Sequence, residues 1–281
     1  MVIKNFKKET YILSFALSTI LIFGLVMAST SVNSPSSCSG QWTSCSNAFA
    51  NDANRATASV SGTANKSGVW NNYGLSLADS DNIDSVIVRA DFFASKSSGY
   101  INVKVSGDGG ATYGVSHVVG GNTAEQTYNI DITSDLSWSA NKLNNSNFIV
   151  NVTCFKQGGG ANPICNLDWI PANVSYTPFN FVVSVSPNNG TVNRSVNPGN
   201  NISSNVNVLL LSGNASVSLS QTGCPAFATC SFSPVAGVPT FNSTFTMSVN
   251  VTTPVGTYPI NITGTGDGKT SKTVYTLSVT A

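Results

Sequence analysis

From about residue 30 to the end, apolar side chains recur at every second position in short runs, each cut off by Gly, Asn, Pro or Ser. A period of two places successive side chains on opposite faces of a strand. No stretch carries the 3.6-residue recurrence of an amphipathic helix. The chain is therefore expected to be all-β, made of short strands that each bury one face. In residues 85–93 the inward set is Val86, Val88, Ala90 and Phe92. Further strands are expected over 100–105, 127–132, 148–154 and 168–176, then over 179–186, 205–211, 217–220, 245–251, 258–263 and 273–279.

The short Tyr176-Thr177-Pro178 junction divides these strands into two sandwiches, 41–177 and 179–281. About 100 residues with about seven strands suit an immunoglobulin-like sandwich in the second. Residues 29–40 are Ser-rich and are expected to form a flexible tail.

Lys4, Lys7 and Lys8 precede an apolar run from 12 to 28, interrupted only by Ser14, Ser18, Thr19 and Gly24. Val26 and Ala28 set small residues before a cut at Ser29, the pattern of a secretory signal peptide over 1–28. The alternatives are a retained anchor, since 17 residues is at the short end for a span, and a pilin-type cut near Glu9. Membrane contact is expected only if the segment is retained. All six cysteines follow it, as three close pairs: Cys38 with Cys45, Cys154 with Cys165, and Cys224 with Cys230. Local pairing is the simplest of the connectivities. Zinc lacks its usual ligands here, because His117 is the single histidine and no C-x-x-C spacing occurs. Disulfides persist in an oxidising compartment, so an extracellular or cell-surface location is expected.

Lys4, Lys7, Lys8 and Glu9 fall in or before the apolar run, which leaves ten basic and eleven acidic residues after residue 28. Neither sign forms a patch, so nucleic acid is not expected as a partner. From Phe179 onward the charged residues are Arg194, Asp267, Lys269 and Lys272. Ser, Thr and Asn take the place of charge. Eleven asparagines stand in N-x-S/T sequons: Asn65, Asn144, Asn151, Asn173, Asn189, Asn193, Asn201, Asn214, Asn242, Asn250 and Asn261. Strand parity turns Asn151, Asn173, Asn250 and Asn261 away from the core, a position that permits N-glycans. A Ser/Thr/Asn-rich chain also makes sequons by chance.

Two resemblances follow from particular stretches. Phe181-Val182-Val183-Ser184-Val185-Ser186-Pro187, Leu219-Ser220, Cys224-Pro225, Cys230-Ser231-Phe232-Ser233-Pro234, Thr253-Pro254-Val255-Gly256-Thr257-Tyr258 and Tyr275-Thr276-Leu277-Ser278-Val279 resemble the prokaryotic Ig-like repeats of exported archaeal and bacterial surface proteins. Here Cys224 and Cys230 bracket the segment where the family has Leu-Pro-x-Gly, which reads as an added staple. Trp70 to Leu75, Ile83 to Val88, Trp138 with Asn147-Phe148, and Asp168-Trp169-Ile170 resemble, more distantly, jelly-roll-like sandwiches of exported prokaryotic and phage proteins. These resemblances imply a fold and a location, and no activity.

Chemistry is sparse. His117 lies in a strand-like segment and reads as an outward strand residue. A glycosidase reading would use a carboxylate pair such as Asp91 with Asp131, although both lie on ordinary strands. Asp79, Asp81 and Asp84 set hard oxygen ligands at the close spacing calcium takes; the plain alternative is a polar turn. Trp42, Trp70, Tyr73, Tyr100, Tyr113, Trp138 and Trp169 would serve a lectin-like module if exposed together, and are otherwise core. The expected function is a non-catalytic structural or adhesive surface glycoprotein working without a cofactor, its partners other surface proteins or glycans. The alternatives are a carbohydrate-binding module and an appendage subunit assembled by strand addition.

Overall fold

A computed structural model of the chain describes residues 28–195 and 200–281. Lys4, Lys7 and Lys8, the apolar run up to residue 27 and the pilin-type site near Glu9 lie outside the described residues. The first sandwich consists of β1 (Ser29–Asn33), β2 (Ser37–Gly40), β3 (Ala56–Ser59), β4 (Lys66–Asn71), β5 (Asn82–Ala94), β6 (Gly99–Gly107), β7 (His117–Gly120), β8 (Gln126–Asp131), β9 (Phe148–Lys156), β10 (Ile164–Trp169) and β11 (Ala172–Thr177). One sheet runs β1-β11-β5-β10-β3, with β8 also on β5; the other runs β2-β4-β9-β6-β7. Neighbours in sequence such as β4 and β5, β5 and β6, or β9 and β10 fall in opposite sheets, the habit of a jelly roll. Between the sheets Trp70, Phe92, Ile101, Phe148, Val150, Val152 and Leu167 are buried. The expected inward set on β5, Val86, Val88, Ala90 and Phe92, is at zero exposure.

Two expectations need correction. Residues 29–40 are not a flexible tail: β1 pairs with β11 from Ser29↔Tyr176 to Asn33↔Ala172, and β2 pairs with β4. Serine-rich edge strands bury little apolar surface, so they leave no hydrophobic signature, yet their backbone groups still complete a ladder. The single strand expected over 168–176 is two strands, broken at Ile170-Pro171, because Pro171 has no N–H to give a ladder.

The second sandwich consists of β12 (Asn180–Ser186), β13 (Asn189–Asn193), β14 (Asn200–Ser212), β15 (Val217–Thr222), β16 (Thr229–Ser233), β17 (Ala236–Gly237), β18 (Phe241–Val249), β19 (Gly256–Gly266) and β20 (Lys269–Thr280). Its sheets are β12-β14-β18-β16 and β13-β20-β19-β15-β17, with β13 parallel to β20. That arrangement follows the ABED and CFG strand orders of an immunoglobulin-type sandwich. Phe245 sits at its centre, stacked on Phe232 at 4.7 Å and edge-on to Tyr275 at 5.9 Å.

All three cysteine pairs are bonded: Cys38–Cys45, Cys154–Cys165 and Cys224–Cys230. At the junction of the two sandwiches, Ser80 is buried and donates to the Asp267 carboxylate, and its carbonyl accepts from Asn214 N–H at 2.9 Å. Gly213 has φ +71° there, and a Cβ on it would meet Ser80 O at 2.3 Å, so the close approach of the domains requires glycine.

Candidate functional site

The aromatic residues do not form one exposed face. Trp42 and Trp70 pack edge-on in the core at 5.6 Å, and Tyr73 is 2% exposed. Trp138 lies half-buried against Phe148 at 5.7 Å. Tyr100 tilts against Phe155, and Tyr113 stands apart at 39% exposed. Only Trp169, among the tryptophans, turns to an outer face.

Its position comes from a slip in register. The pairing of β10 with β5 shifts between Leu167 and Trp169. The slip buries Asp168 and sends Trp169 outward, where its indole N–H donates to Ser34 Oγ at 2.8 Å. The Arg89 guanidinium lies 4.8 Å from the centre of the indole. Arg89 Nε and Nη2 donate to Asp91 Oδ1 and Oδ2 at 2.9 and 2.7 Å, and Thr127 Oγ1 donates to Asp91 Oδ1 at 2.7 Å. Asp91 is 2% exposed, so this forked pair supplies the partner its buried charge requires. Trp169 and Arg89, with Val32, Ile87, Asn129, Pro171 and Asn173, wall a surface depression of about 390 Å³. Val32 and Ile87 flank Asn173 because they sit opposite it on β1 and β5. Asn129 sits opposite Arg89 on β8.

The other expected chemistry is dispersed. Asp131 sits opposite Ile87 on β5, four residues along from Asp91. At the strand rise this puts the two carboxylates roughly 13 Å apart, beyond the spacing of a glycosidase pair. His117 opens β7 and its Nε2 lies 2.8 Å from Asp135 Oδ2. Among the described residues no three His, Cys, Asp or Glu come together as a metal site. Asp81 Oδ2 accepts from Ala78 N–H at 2.9 Å, while Asp84 accepts from Asn82 at 2.7 Å and Thr177 at 2.6 Å. Asp79 is exposed. The turn they form carries Ser80 into the domain junction.

The sequons divide by geometry. Asn65, Asn189, Asn201, Asn214, Asn242, Asn250 and Asn261 are exposed; Asn144, Asn151, Asn173 and Asn193 are half-buried. Asn144 Nδ2, the atom a glycan would occupy, donates to Asn141 Oδ1 at 3.1 Å. Site-by-site mapping of a glycosylated sample is therefore expected to find Asn144 least occupied and the seven exposed sites most occupied. Equal occupancy at Asn144 would remove the link to geometry.

Asp168 gave no sign in the sequence. It is 1% exposed and its Oδ1 has no hydrogen-bond partner among the described residues. Burial raises its pKa above the ordinary carboxylate value; Glu125 and Asp52 add to the rise and Arg55 opposes it. The folded state thus keeps the proton to higher pH than the unfolded chain. Stability from this group is greatest below the unfolded pKa and falls as pH rises towards the folded one, then stays level. Asp168→Asn is expected to stabilise the protein at pH 7 by about 1–2 kcal/mol, with the gain gone below about pH 3.5. Thermal melts across that range check it; a gain that does not change with pH contradicts the assignment.

No protein-family model matches this chain, and no curated protein matches it. Among solved structures, a truncated AlyQ with CBM32 and alginate lyase domains is similar at 9% identity and TM-score 0.33, over 86% of this chain and 81% of that one. The apo β-glucuronidase 3 of Bacteroides uniformis is similar at 11% and 0.21, over 77% of this chain and 27% of that one. A biofilm-associated protein BSP domain is similar at 8% and 0.21, over 88% and 52%. The chain spans about a third or less of the first structures it matches, at 27% and 33% of their lengths. Likenesses at these scores bear on neither activity nor ligand.

Proposed function

We propose that this chain is a non-catalytic structural or adhesive glycoprotein of a prokaryotic cell surface, acting without a cofactor, with other surface proteins or glycans as its partners. In this reading the second sandwich is an Ig-like repeat of the archaeal type, exported behind the 1–28 signal and holding the first sandwich away from the envelope.

The observation that carries the reading is the outer surface of the second sandwich. On β12-β14-β18-β16 the outward rows include Val182–Leu209, Ser186–Asn205–Thr244–Ser233, Ser184–Asn207–Asn242, Ser203–Thr246–Ser231 and Asn201–Ser248–Thr229. None of these carries charge. On the opposite face Ser220–Thr263–Lys272 and Thr222–Asn261–Val274 contain one charge. A protein of ordinary solubility carries mixed charge on such faces and blunts its edge strands with lysine. Sugars on Asn201, Asn242 and Asn261 would cover these faces, and three disulfides suit an oxidising exterior.

The test is intact-mass analysis of the protein isolated from its own cells, before and after reduction and deglycosylation, beside electron microscopy of cells lacking it. Several glycan increments, loss of residues 1–28 and an altered cell surface are expected. An unmodified mass overturns the glycoprotein reading. An unchanged surface together with substrate turnover overturns the structural one.

A further inference from the structure

The depression on the outer face of β1-β11-β5 goes beyond a display role, because its lining is that of a built site. We propose that it seats a single neutral pyranose ring. Its polar end is the Arg89 guanidinium, fixed by two bonds to Asp91 and by the Trp169 ring. Because that charge is already matched by the buried Asp91 carboxylate, the guanidinium offers its remaining N–H donors to hydroxyl groups and has little left to attract an anion. The indole of Trp169, the ring of Pro171 and the side chains of Val32 and Ile87 supply the apolar surface against which the C–H face of a sugar packs. Asn129 and Asn173 supply amide groups on the same floor. Asn173 Oδ1 is buried and has no hydrogen-bond partner among the described residues. At about 390 Å³ the space lies at the small end of ligand sites, the size for one ring and not for a chain of them. Asp131, opposite Ile87, flanks the site and disfavours acidic sugars.

The same ring chemistry has two sources. One is the first sugar of a glycan on Asn173, whose sequon is completed by Ser175. The other is a sugar brought from outside. The experiment uses the full exported chain, made in an oxidising but non-glycosylating host and titrated with glucose, galactose, mannose, N-acetylglucosamine and glucuronate while the indole N–H resonance of Trp169 is followed. Saturable shifts with neutral sugars at up to about 100 mM are expected, with glucuronate weaker. Asn129→Ala, at an exposed position that leaves the Arg89–Asp91 pair intact, is expected to weaken binding about tenfold. The native glycosylated chain and its Ser175→Ala variant separate the sources. If the Asn173 glycan fills the site, the native chain ignores added sugar and Ser175→Ala restores the response. If the ligand is external, both respond alike. Shifts that Asn129→Ala leaves unchanged overturn the proposal. So does a Trp169 resonance unmoved by every sugar and identical in native and Ser175→Ala protein. None of these outcomes depends on whether the cell surface changes when the protein is absent.

Discussion

Arg89→Ala is expected to destabilise the first sandwich by about 3–5 kcal/mol, because it leaves the Asp91 carboxylate buried without its cation. Asp91 is 2% exposed and its remaining protein partners are Thr127 Oγ1 at 2.7 Å and Asn51 Nδ2 at 3.4 Å, neither of which neutralises it. The loss of the guanidinium from the face of Trp169 adds to the cost by about 0.5–1 kcal/mol. If the penalty is the stranded charge, then Asp91→Asn in the Arg89→Ala background recovers most of it, since a neutral amide keeps the hydrogen bond from Thr127. Chemical denaturation of the four members of that double-mutant cycle measures the coupling. A cycle in which the two changes simply add would mean that Arg89 acts through packing on Trp169 and not through Asp91.

The strands of both cores are legible because each alternates strictly. Val86, Val88, Ala90 and Phe92 could point inward in only one register, and a slip by one residue would have exposed all four. The disulfides are legible because close pairing is the simplest connectivity, and all six cysteines follow it. What escapes is the part of the fold held by backbone alone. Strand β1, with the sequence STSVN, contributes nothing to the core and leaves Val32 at 59% exposed, so no hydrophobic pattern marks it. The depression is half legible. Arg89 and Asp91 stand two apart on one strand and so share a face, which a reader of the sequence could infer. Trp169 joins them only through the register shift after Leu167, and that depends on tertiary pairing. The same shift buries Asp168. Asp79, Asp81 and Asp84 look like a ligand cluster because turn chemistry and cation chemistry draw on the same residues. Ser80, between two of them, makes the contact that joins the domains.

Replacing Cys154 and Cys165 together by alanine is expected to be the most damaging of the three possible disulfide deletions, costing about 3 kcal/mol from loop closure alone. Cys154 lies on β9 and Cys165 on β10, strands of opposite sheets, so this bond ties the two layers of the first sandwich through its core. Both residues are at zero exposure, and the 11-residue separation holds the open Gly158-Gly159-Gly160 loop, where added Cβ atoms would meet nothing. In the unfolded chain that loop is free to open, and the crosslink removes that freedom. Cys38–Cys45 and Cys224–Cys230 close shorter segments, with separations of 7 and 6, and lie nearer the surface. The deletion is expected to lower the melting temperature of the first sandwich by on the order of 10 °C, and to leave the second, whose core holds none of these sulfurs, where it was. Calorimetry that resolves two transitions checks both parts at once. A fall in both transitions would mean that the Ser80 junction couples the domains into one unfolding unit. A first transition unmoved by the deletion would mean that the sheet-to-sheet packing of Trp70, Phe92 and Phe148 holds the sandwich without its staple.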